Sequence, residues 1–247
     1  MYSFFVHFCF WLSLATYVVV AFIPYAFVLL LHDPLRAHIM RYITLYLGKT
    51  AIFIGLRPFV RIKYIDAANG NDMPGIYICN HRSGLDAFLM AVFDKEMIQI
   101  VNGWPMKLPF FGFNARKSGY IDATRTQMDE YEPIFRKLLK SNVSIAVFPE
   151  GHRSQARQMN SFHSGIFRLA MELGVPVYPC VIVGNENFPD RDFRFHPTRK
   201  IIVKRLPPIM PEEFQKLPSA FVFKKKVHTL LQQEADALDA QLDQQPN

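Results

Sequence analysis

The N-terminal part of the chain contains one long apolar stretch, FFVHFCFWLSLATYVVVAFIPYAFVLLL, from Phe4 to Leu31, without Asp, Glu, Lys or Arg. A helix needs about 20 apolar residues to cross the hydrocarbon core of a bilayer, so this stretch is long enough. Helices in the core of soluble proteins are seldom apolar over such a length. Pro24 lies inside the stretch and leaves two arrangements open: one tilted spanning helix, or two short helices that enter one leaflet. Both arrangements place this segment in a membrane.

Positive charge follows the apolar stretch and also dominates the whole chain. The formal net charge of +7 favours anionic partners such as phosphorylated metabolites, nucleic acid or anionic lipid. By the positive-inside rule, the cations after the stretch predict an inner-membrane protein whose following domain lies on the cytoplasmic side. Apolar residues recur at helical spacing between Leu35 and Ile54, which predicts a basic amphipathic helix on membrane lipids. The cations that follow the apolar stretch are Arg36, Arg41, Lys49, Arg57, Arg61 and Lys63.

The composition changes after residue 65. A turn-rich segment at 66–75 is followed by short apolar runs that alternate with helical patterns. This alternation predicts an α/β fold with a mostly parallel or mixed central sheet flanked by helices. We therefore divide the chain into a membrane anchor with a basic amphipathic helix, 1–65, and an α/β domain, 66–247, in which residues 243–247 are expected to be disordered. The predicted strands are 76–79, 98–101, 119–122, 143–148, 175–183 and 200–205, and the predicted helices are 85–93, 127–140, 162–173 and 220–242.

A histidine and an aspartate lie five positions apart directly after the first predicted strand, in YICNHRSGLDAF (77–88). Loops at the carboxyl ends of strands gather into the crevice of an α/β sheet. A neutral histidine there can accept a proton from a hydroxyl if its other ring nitrogen donates to a carboxylate. His81 is therefore a candidate general base and Asp86 its orienting carboxylate, although polar residues that merely satisfy a strand end would look the same. Ser83 is better explained as a helix cap than as a nucleophile, and Asn80 either closes the loop or donates to an oxyanion.

A second charged loop follows the predicted strand 143–148, in AVFPEGHRSQ (146–155). It places Glu150, Gly151 and Arg153 at the same edge of the predicted sheet. An arginine beside exposed loop amides suits a phosphate or carboxylate ligand. An Arg–Glu pair that stabilises the turn is an equally good explanation of this loop alone.

The two motifs together, NHxxxxD at 80–86 and FPEGxRS at 148–154, resemble those of the glycerolipid acyltransferase family, which includes the bacterial lysophosphatidic acid acyltransferases. A later block of that family, Val-Pro-x-x-Pro, is similar to VPVYP at 175–179. The resemblance covers roughly residues 70 to 185. It implies a membrane-bound enzyme that transfers a fatty acyl group from acyl-CoA or acyl carrier protein to a lysophospholipid hydroxyl, without a metal or redox cofactor.

The resemblance also implies roles for individual residues. His81 would deprotonate the acceptor hydroxyl and Asp86 would hold His81. Glu150, Gly151 and Arg153 would help to bind the acceptor, for which lysophosphatidate is the first expectation.

Two positions depart from the family pattern. Where the family has Phe-Ile-Asp-Arg, this chain has Ala123 in place of the arginine, and Arg125 follows two positions later. Where the family has Phe-Lys-x-Gly, this chain has His163 in place of the lysine. We expect Arg116, Lys117 or Arg125 to supply the missing charge. If they do not, the acceptor is another lysophospholipid or a lyso-aminolipid.

An acyl chain requires an apolar tunnel, and the segment WPMKLPFFGF (104–113) is a candidate for its lining. Trp104, Phe110 and Phe111 are the predicted acyl-chain or membrane contacts, although ordinary core packing is the simpler explanation for most aromatic residues. Lys107 and Arg116 bracket the segment and suit the phosphates of coenzyme A or the acidic face of an acyl carrier protein.

The sequence speaks against three other classes of function. A non-catalytic lipid-binding protein would not need the pair of His81 and Asp86. A nucleic-acid-binding protein is not expected, since the positive charge is spread along the chain and the aromatic residues cluster in apolar runs. A serine hydrolase would need a Gly-x-Ser-x-Gly elbow, which the sequence lacks.

Overall fold

The computed structural model describes residues 1–68, 70, 73–127 and 129–244. The predicted turn-rich segment at 66–75 and the predicted disordered tail at 243–247 lie partly outside these residues.

The N-terminal apolar stretch forms a single helix, α1 (Tyr2–Val28), which continues through Pro24. Among the described residues it is the one helix that is long and apolar enough to cross a membrane. Most of its large apolar side chains are exposed, while one side of the helix packs on the sheet domain through Val6, Phe10 and Leu14. A second helix, α2 (Asp33–Thr50), returns after a short turn and ends in a π-helical turn, Ala51–Gly55. The two halves of the apolar stretch are thus not separate helices, and the hairpin is formed by α1 and α2.

The described residues form a seven-stranded sheet in the order β1-β7-β6-β2-β5-β3-β4. Neighbouring strands are parallel except for β6 and β7, which are antiparallel. The carboxyl ends of β2 to β6 therefore lie at one edge, together with the amino ends of β1 and β7. The strands are β1 (Arg61–Asp66), β2 (Ile76–Cys79), β3 (Met97–Val101), β4 (Ile121–Asp122), β5 (Ser144–Val147), β6 (Val177–Val183) and β7 (Lys200–Arg205).

Helices cover both faces of the sheet, because the central strands are apolar on both sides. The first face packs against α5, α6 and α8, and the second against α1, α2 and α3. The remaining helices are α3 (Asp86–Leu89), which continues as a 3₁₀ turn (Met90–Phe93), then a 3₁₀ turn (Pro105–Lys107), α4 (Pro109–Ser118), α5 (Tyr131–Lys140), α6 (Gly165–Leu173), α7 (Pro211–Phe214) and α8 (Ala220–Asp243).

The predicted α/β fold with a mixed sheet and an N-terminal apolar helix is confirmed. Strand β1 was not predicted. It pairs along its whole length with β7, so the proposed boundary between residues 65 and 66 falls inside a strand of the sheet. Helices α5 and α6 begin four and three residues later than predicted, at Tyr131 and Gly165.

Candidate active site

The motif NHxxxxD begins where β2 ends, at the edge formed by the carboxyl ends of the parallel strands. The side chain of Asn80 is buried and pairs with one residue of the neighbouring strand β6. Its Nδ2 donates to the carbonyl oxygen of Ile182 at 2.9 Å, and its Oδ1 accepts the backbone N–H of Ile182 at 2.7 Å. Both polar atoms of the amide thus close the loop onto the sheet.

The ring of His81 lies directly after Asn80 and is held on two sides. Its Nδ1 lies 2.7 Å from Oδ2 of Asp86, and its face stacks on Phe148, with ring centroids 4.6 Å apart. A carboxylate only accepts, so Nδ1 carries the proton in the neutral ring and Nε2 carries the lone pair. Within the described part of the chain Nε2 makes no hydrogen bond. The side chain is 20% exposed, so a substrate hydroxyl can reach it.

The carboxylate of Asp86 is completely buried and accepts four hydrogen bonds. Besides His81, its Oδ2 accepts the backbone N–H groups of Arg82 at 2.7 Å and Ser83 at 2.8 Å. Its Oδ1 accepts a short hydrogen bond from the side-chain amide of Asn185, in the loop after β6. These four donors fix the position of the carboxylate.

The hydroxyl of Ser83 is also buried. It lies within hydrogen-bond distance of two backbone carbonyls in the loop after β6, those of Phe188 at 3.0 Å and Pro189 at 3.2 Å. It accepts the N–H of Leu85 at 3.4 Å. The predicted helix cap at Ser83 is wrong, because α3 begins at Asp86 with Leu85 at its N-cap position and without a side-chain cap. The hydroxyl instead ties the His81 loop to the loop after β6.

Glu150 lies under the same loop and is 1% exposed. Its Oε1 accepts the backbone N–H of His81 at 2.7 Å, and its Oε2 accepts that of Asn160 at 2.8 Å. Burial raises the pKa of this carboxyl, while the two N–H donors act in the opposite direction. Glu150 therefore positions the backbone of His81, and a direct contact with the acceptor stays a prediction.

Arg153 reaches the other side of the loop. Its guanidinium lies over the ring of Phe193 at 5.1 Å. Its Nη1 is buried and has no hydrogen-bond partner within the described ranges. A Cβ at Gly84 would lie 3.4 Å from this nitrogen, so the guanidinium packs close to the backbone of the His81 loop. Arg153 thus brings an unsatisfied donor next to the loop that carries His81.

Gly151 forms the turn between Glu150 and Arg153, with φ at 75°. The ring of His163 packs against it, since its Nε2 lies 3.0 Å from the place of a Cβ on Gly151. His163, which stands in place of the family lysine, is therefore close to the second motif.

The three cations expected to replace the family arginine lie in different places. Arg116 and Arg125 line one cavity of about 590 Å³ beside β4, but Lys117 does not. Arg116 donates to the carbonyl of Met106 at 2.6 Å. Arg125 is 80% exposed, and its nearest carboxylate, that of Asp122, is 3.7 Å away. Lys117 instead lies 5.9 Å from the ring centroid of Phe113.

The three aromatic residues predicted to contact the acyl chain or the membrane also lie in different places. Trp104 and Phe111 line a narrow, mostly apolar cavity of about 140 Å³ that runs from Gly84 along β3 to α2. Phe110 does not line it and packs on the apolar helix α1, with its ring centroid 5.4 Å from that of Tyr25. The structure thus places two of the three aromatic residues at a cavity and the third against α1.

Two residues outside the motifs complete the site. One is Asn185, described above. The other is Asp239 in α8, whose carboxylate makes two hydrogen bonds, 2.9 Å and 2.7 Å long, to the completely buried guanidinium of Arg82. Neither residue belongs to a local pattern, and an aspartate on the apolar stripe of the C-terminal helix was the one available signal.

The sequence model of the Acyltransferase family matches residues 61–183, which contain both motifs and strands β1 to β6. The chain belongs to the acyltransferase family. The resemblance drawn from the two motifs is thereby confirmed.

Named relatives agree with this membership. A chloroplastic 1-acyl-sn-glycerol-3-phosphate acyltransferase of Arabidopsis thaliana is 29% identical over 175 residues, covering 69% of this chain and 48% of that protein. The 1-acyl-sn-glycerol-3-phosphate acyltransferase of Salmonella typhimurium is 29% identical over 175 residues, 68% of this chain and 69% of that protein. The chain spans about half the length of the plant relatives that it matches.

The fold of this acyltransferase family member is also found in a solved structure. The crystal structure of the 1-acyl-sn-glycerophosphate acyltransferase PlsC from Thermotoga maritima superposes with a TM-score of 0.78 over 96% of both chains, at 22% identity.

Proposed function

We propose that this chain is a membrane-associated O-acyltransferase that moves a fatty acyl group from a thioester donor to the free hydroxyl of lysophosphatidate, giving phosphatidate. The observation that carries the proposal is the 2.7 Å hydrogen bond between His81 and the buried Asp86, which leaves the second ring nitrogen of His81 available. Membership of the acyltransferase family and the names of the relatives support the same reaction.

In the proposed mechanism, Nε2 of His81 removes the proton of the acceptor hydroxyl as its oxygen attacks the thioester carbonyl. An ester C–O bond forms and the C–S bond breaks. The imidazolium then returns the proton to the leaving sulfur, so that phosphatidate and a free thiol are the products. Asp86 holds the ring in the required tautomer and stabilises the imidazolium while it exists.

The proposed anchor for the acceptor phosphate is Arg153, because its guanidinium brings an unsatisfied nitrogen to the same loop. Arginine suits this task, since its fork of N–H groups matches the oxygens of a phosphate. Arg116 and Arg125 line a separate cavity beside β4 and are the proposed substitutes for the charge missing at Ala123. Because Arg125 is largely exposed, another lysophospholipid or a lyso-aminolipid remains the alternative acceptor.

The donor is proposed to be acyl-CoA or acyl carrier protein. Its acyl chain would enter the apolar cavity lined by Trp104 and Phe111, which begins beside Gly84 in the His81 loop. The thioester already supplies an activated carbonyl, so the proposed reaction requires no metal or redox cofactor.

We propose that α1 anchors the protein in the inner membrane with the sheet domain on the cytoplasmic side. The exposed apolar face of α1 supports contact with membrane lipids. This face includes Phe4, Phe8, Trp11, Val19, Phe22 and Phe27.

The test is an acyl-transfer assay with purified protein in lipid, using labelled acyl-CoA and acyl carrier protein. We expect His81→Ala to lower kcat about 10²- to 10⁴-fold, the usual contribution of a general base. His196→Ala is a matched control, because His196 makes a hydrogen bond of the same length, 2.7 Å, to Asp190 but is exposed. Activity that does not depend on His81 would refute the mechanism, and no transfer to any acceptor would favour a non-catalytic lipid-binding protein.

The same assay decides the acceptor. A panel of lysophosphatidate, other lysophospholipids and lyso-aminolipids is offered to the wild type, Arg153→Ala and Arg125→Ala. We expect transfer to lysophosphatidate and a raised KM for this acceptor in Arg153→Ala. Transfer to a different lyso-lipid alone would leave the reaction type in place and refute lysophosphatidate as the acceptor.

A further inference from the structure

A second polar cavity lies at the active-site edge of the sheet, on the side away from β3. It has a volume of about 730 Å³ and is lined by the loop after β6, the amino ends of β1 and β7, and the end of α8. Its wall includes Glu186, the residue directly after Asn185. The cavity is therefore a close neighbour of the carboxylate of Asp86, and none of its lining residues belongs to the two sequence motifs.

Acidic residues of the cavity wall are already paired with arginines. Asp239 makes two hydrogen bonds to Arg82, at 2.9 Å and 2.7 Å. Asp243 does the same with Arg157, at 2.6 Å and 2.8 Å. Glu186 lies 3.5 Å from Arg82 and 3.6 Å from Arg157. The negative charge of this wall is thus compensated within the protein.

Two other arginines of the lining, Arg57 and Arg61, are not paired with carboxylates in this way. Arg57 and Arg61 both line the cavity and are exposed. Neither has a carboxylate within 4 Å in the part of the chain that the structure describes. Arg199 brings a third guanidinium to the lining. The lining therefore has more cations than carboxylates, and Arg57 and Arg61 present exposed N–H donors.

Guanidinium groups in a concave site are suited to a phosphate, since each presents a planar pair of donors to two oxygens. A volume of about 730 Å³ lies within the usual range of small-molecule sites. We infer that this cavity is a phosphate-binding site in which Arg57 and Arg61 are the principal contacts. It is separate from Arg153 and from the cavity of Arg116 and Arg125.

The phosphate can come from two sources. One is the nucleotide part of a coenzyme A thioester, whose long arm would lead from this cavity to the His81 loop. The other is the headgroup of an anionic membrane lipid, because the apolar helix α1 reaches the cavity wall. There the ring of Tyr2 meets that of Phe59, with centroids 5.9 Å apart. In both cases the same two arginines bind the phosphate.

Direct binding measurements test the site without turnover, so their result does not depend on the proposed reaction. Adenosine 3′,5′-bisphosphate is titrated into the full-length protein by calorimetry, and flotation with phosphatidylglycerol vesicles is compared with phosphatidylcholine vesicles. The test variant is Arg57→Ala with Arg61→Ala. Lys63→Ala is the matched control, because Lys63 is exposed on the same strand but does not line the cavity.

We expect the double alanine variant to bind its ligand about ten- to a hundredfold more weakly, as the loss of charge-assisted hydrogen bonds predicts. Lys63→Ala should bind as the wild type does, and the double Arg→Lys variant should bind with intermediate affinity. Weakened nucleotide binding identifies the donor as the source, whereas weakened vesicle binding with unchanged nucleotide binding identifies a lipid headgroup. The inference is overturned if both probes bind the double variant as tightly as the wild type, or if Lys63→Ala has the same effect.

Discussion

Replacing Asp239 with alanine removes the carboxylate that pairs with the guanidinium of Arg82. Arg82 is completely buried, and the side chain of Asp239 is 4% exposed. The two hydrogen bonds between them are 2.9 Å and 2.7 Å long. Arg82 is also the residue next to His81, so the perturbation lies directly behind the proposed base.

The expected effect is large because the guanidinium would keep its charge without its main partner. Breaking a buried ion pair by removing one member costs about 3–5 kcal/mol of folding free energy. Glu186, 3.5 Å from Arg82, is too far away to replace both hydrogen bonds. For a chain of this size the loss corresponds to a decrease of about 6–20 °C in Tm. Thermal unfolding in detergent, followed by circular dichroism, measures it.

The same helix provides a matched control. Asp243, one turn further on, makes equally short hydrogen bonds to Arg157, but these two side chains are 54% and 50% exposed. Asp243→Ala should therefore cost no more than about 1 kcal/mol. A double substitution, Arg82→Met with Asp239→Leu, should restore most of the stability, since it removes both charges. Equal losses in Asp239→Ala and Asp243→Ala would refute the reasoning from burial.

Three further substitutions test other contacts. Burial raises the pKa of Glu150 above its ordinary value of 4.5, so its contribution to stability is fully present below that value and is lost as the pH rises through the raised pKa. In denaturant titrations the wild type should therefore be more stable, relative to Glu150→Gln, at about pH 5 than at about pH 8. Asn185→Ala removes a donor to the buried Asp86; a hydrogen bond to a charged group contributes about 1.5–3 kcal/mol, so kcat should fall about 10- to 150-fold with a smaller change in KM. In Gly112→Ala the new Cβ would lie 2.1 Å from the backbone oxygen of Met106, and thermal unfolding should show a loss of about 1–3 kcal/mol.

Each of these expectations has a result that would contradict it. A constant stability difference between the wild type and Glu150→Gln at both pH values would oppose the direction given for the pKa. An unchanged kcat in Asn185→Ala would mean that the backbone donors alone hold Asp86. Wild-type stability in Gly112→Ala would mean that the turn before α4 adjusts to a side chain.

The central strands could be predicted because their information is local. β2, β5 and β6 are buried on both faces, so each is a continuous apolar run with turn residues at its ends. β1 could not be predicted in this way, since Arg61 and Lys63 alternate with apolar residues at the edge of the sheet and resemble a basic flank. Its pairing partner β7 lies about 139 positions later, as in the ion pair between Asp66 and Arg205.

In the candidate site, too, contacts between residues close in the sequence could be predicted, and contacts between distant residues could not. His81 and Asp86 are five positions apart, so their relation is visible in the sequence. Asn185 reaches Asp86 across 99 positions, and Asp239 reaches Arg82 across 157. An asparagine in a loop and an aspartate on a helix are too common to predict contacts over such separations. They become recognisable only when the topology places the loop after β6 and the end of α8 beside the end of β2.

The contact between Arg82 and Asp239 also sets an order of events during synthesis. The apolar helix α1 is made first, whereas Asp239 leaves the ribosome 157 residues after Arg82. The His81 loop therefore lacks the carboxylate that pairs with Arg82 until nearly all of the described chain has been made. Until α8 docks, the guanidinium of Arg82 lacks the partner that compensates for its burial. The last helix thus completes the candidate site, because it supplies the carboxylate that pairs with Arg82 behind the proposed base.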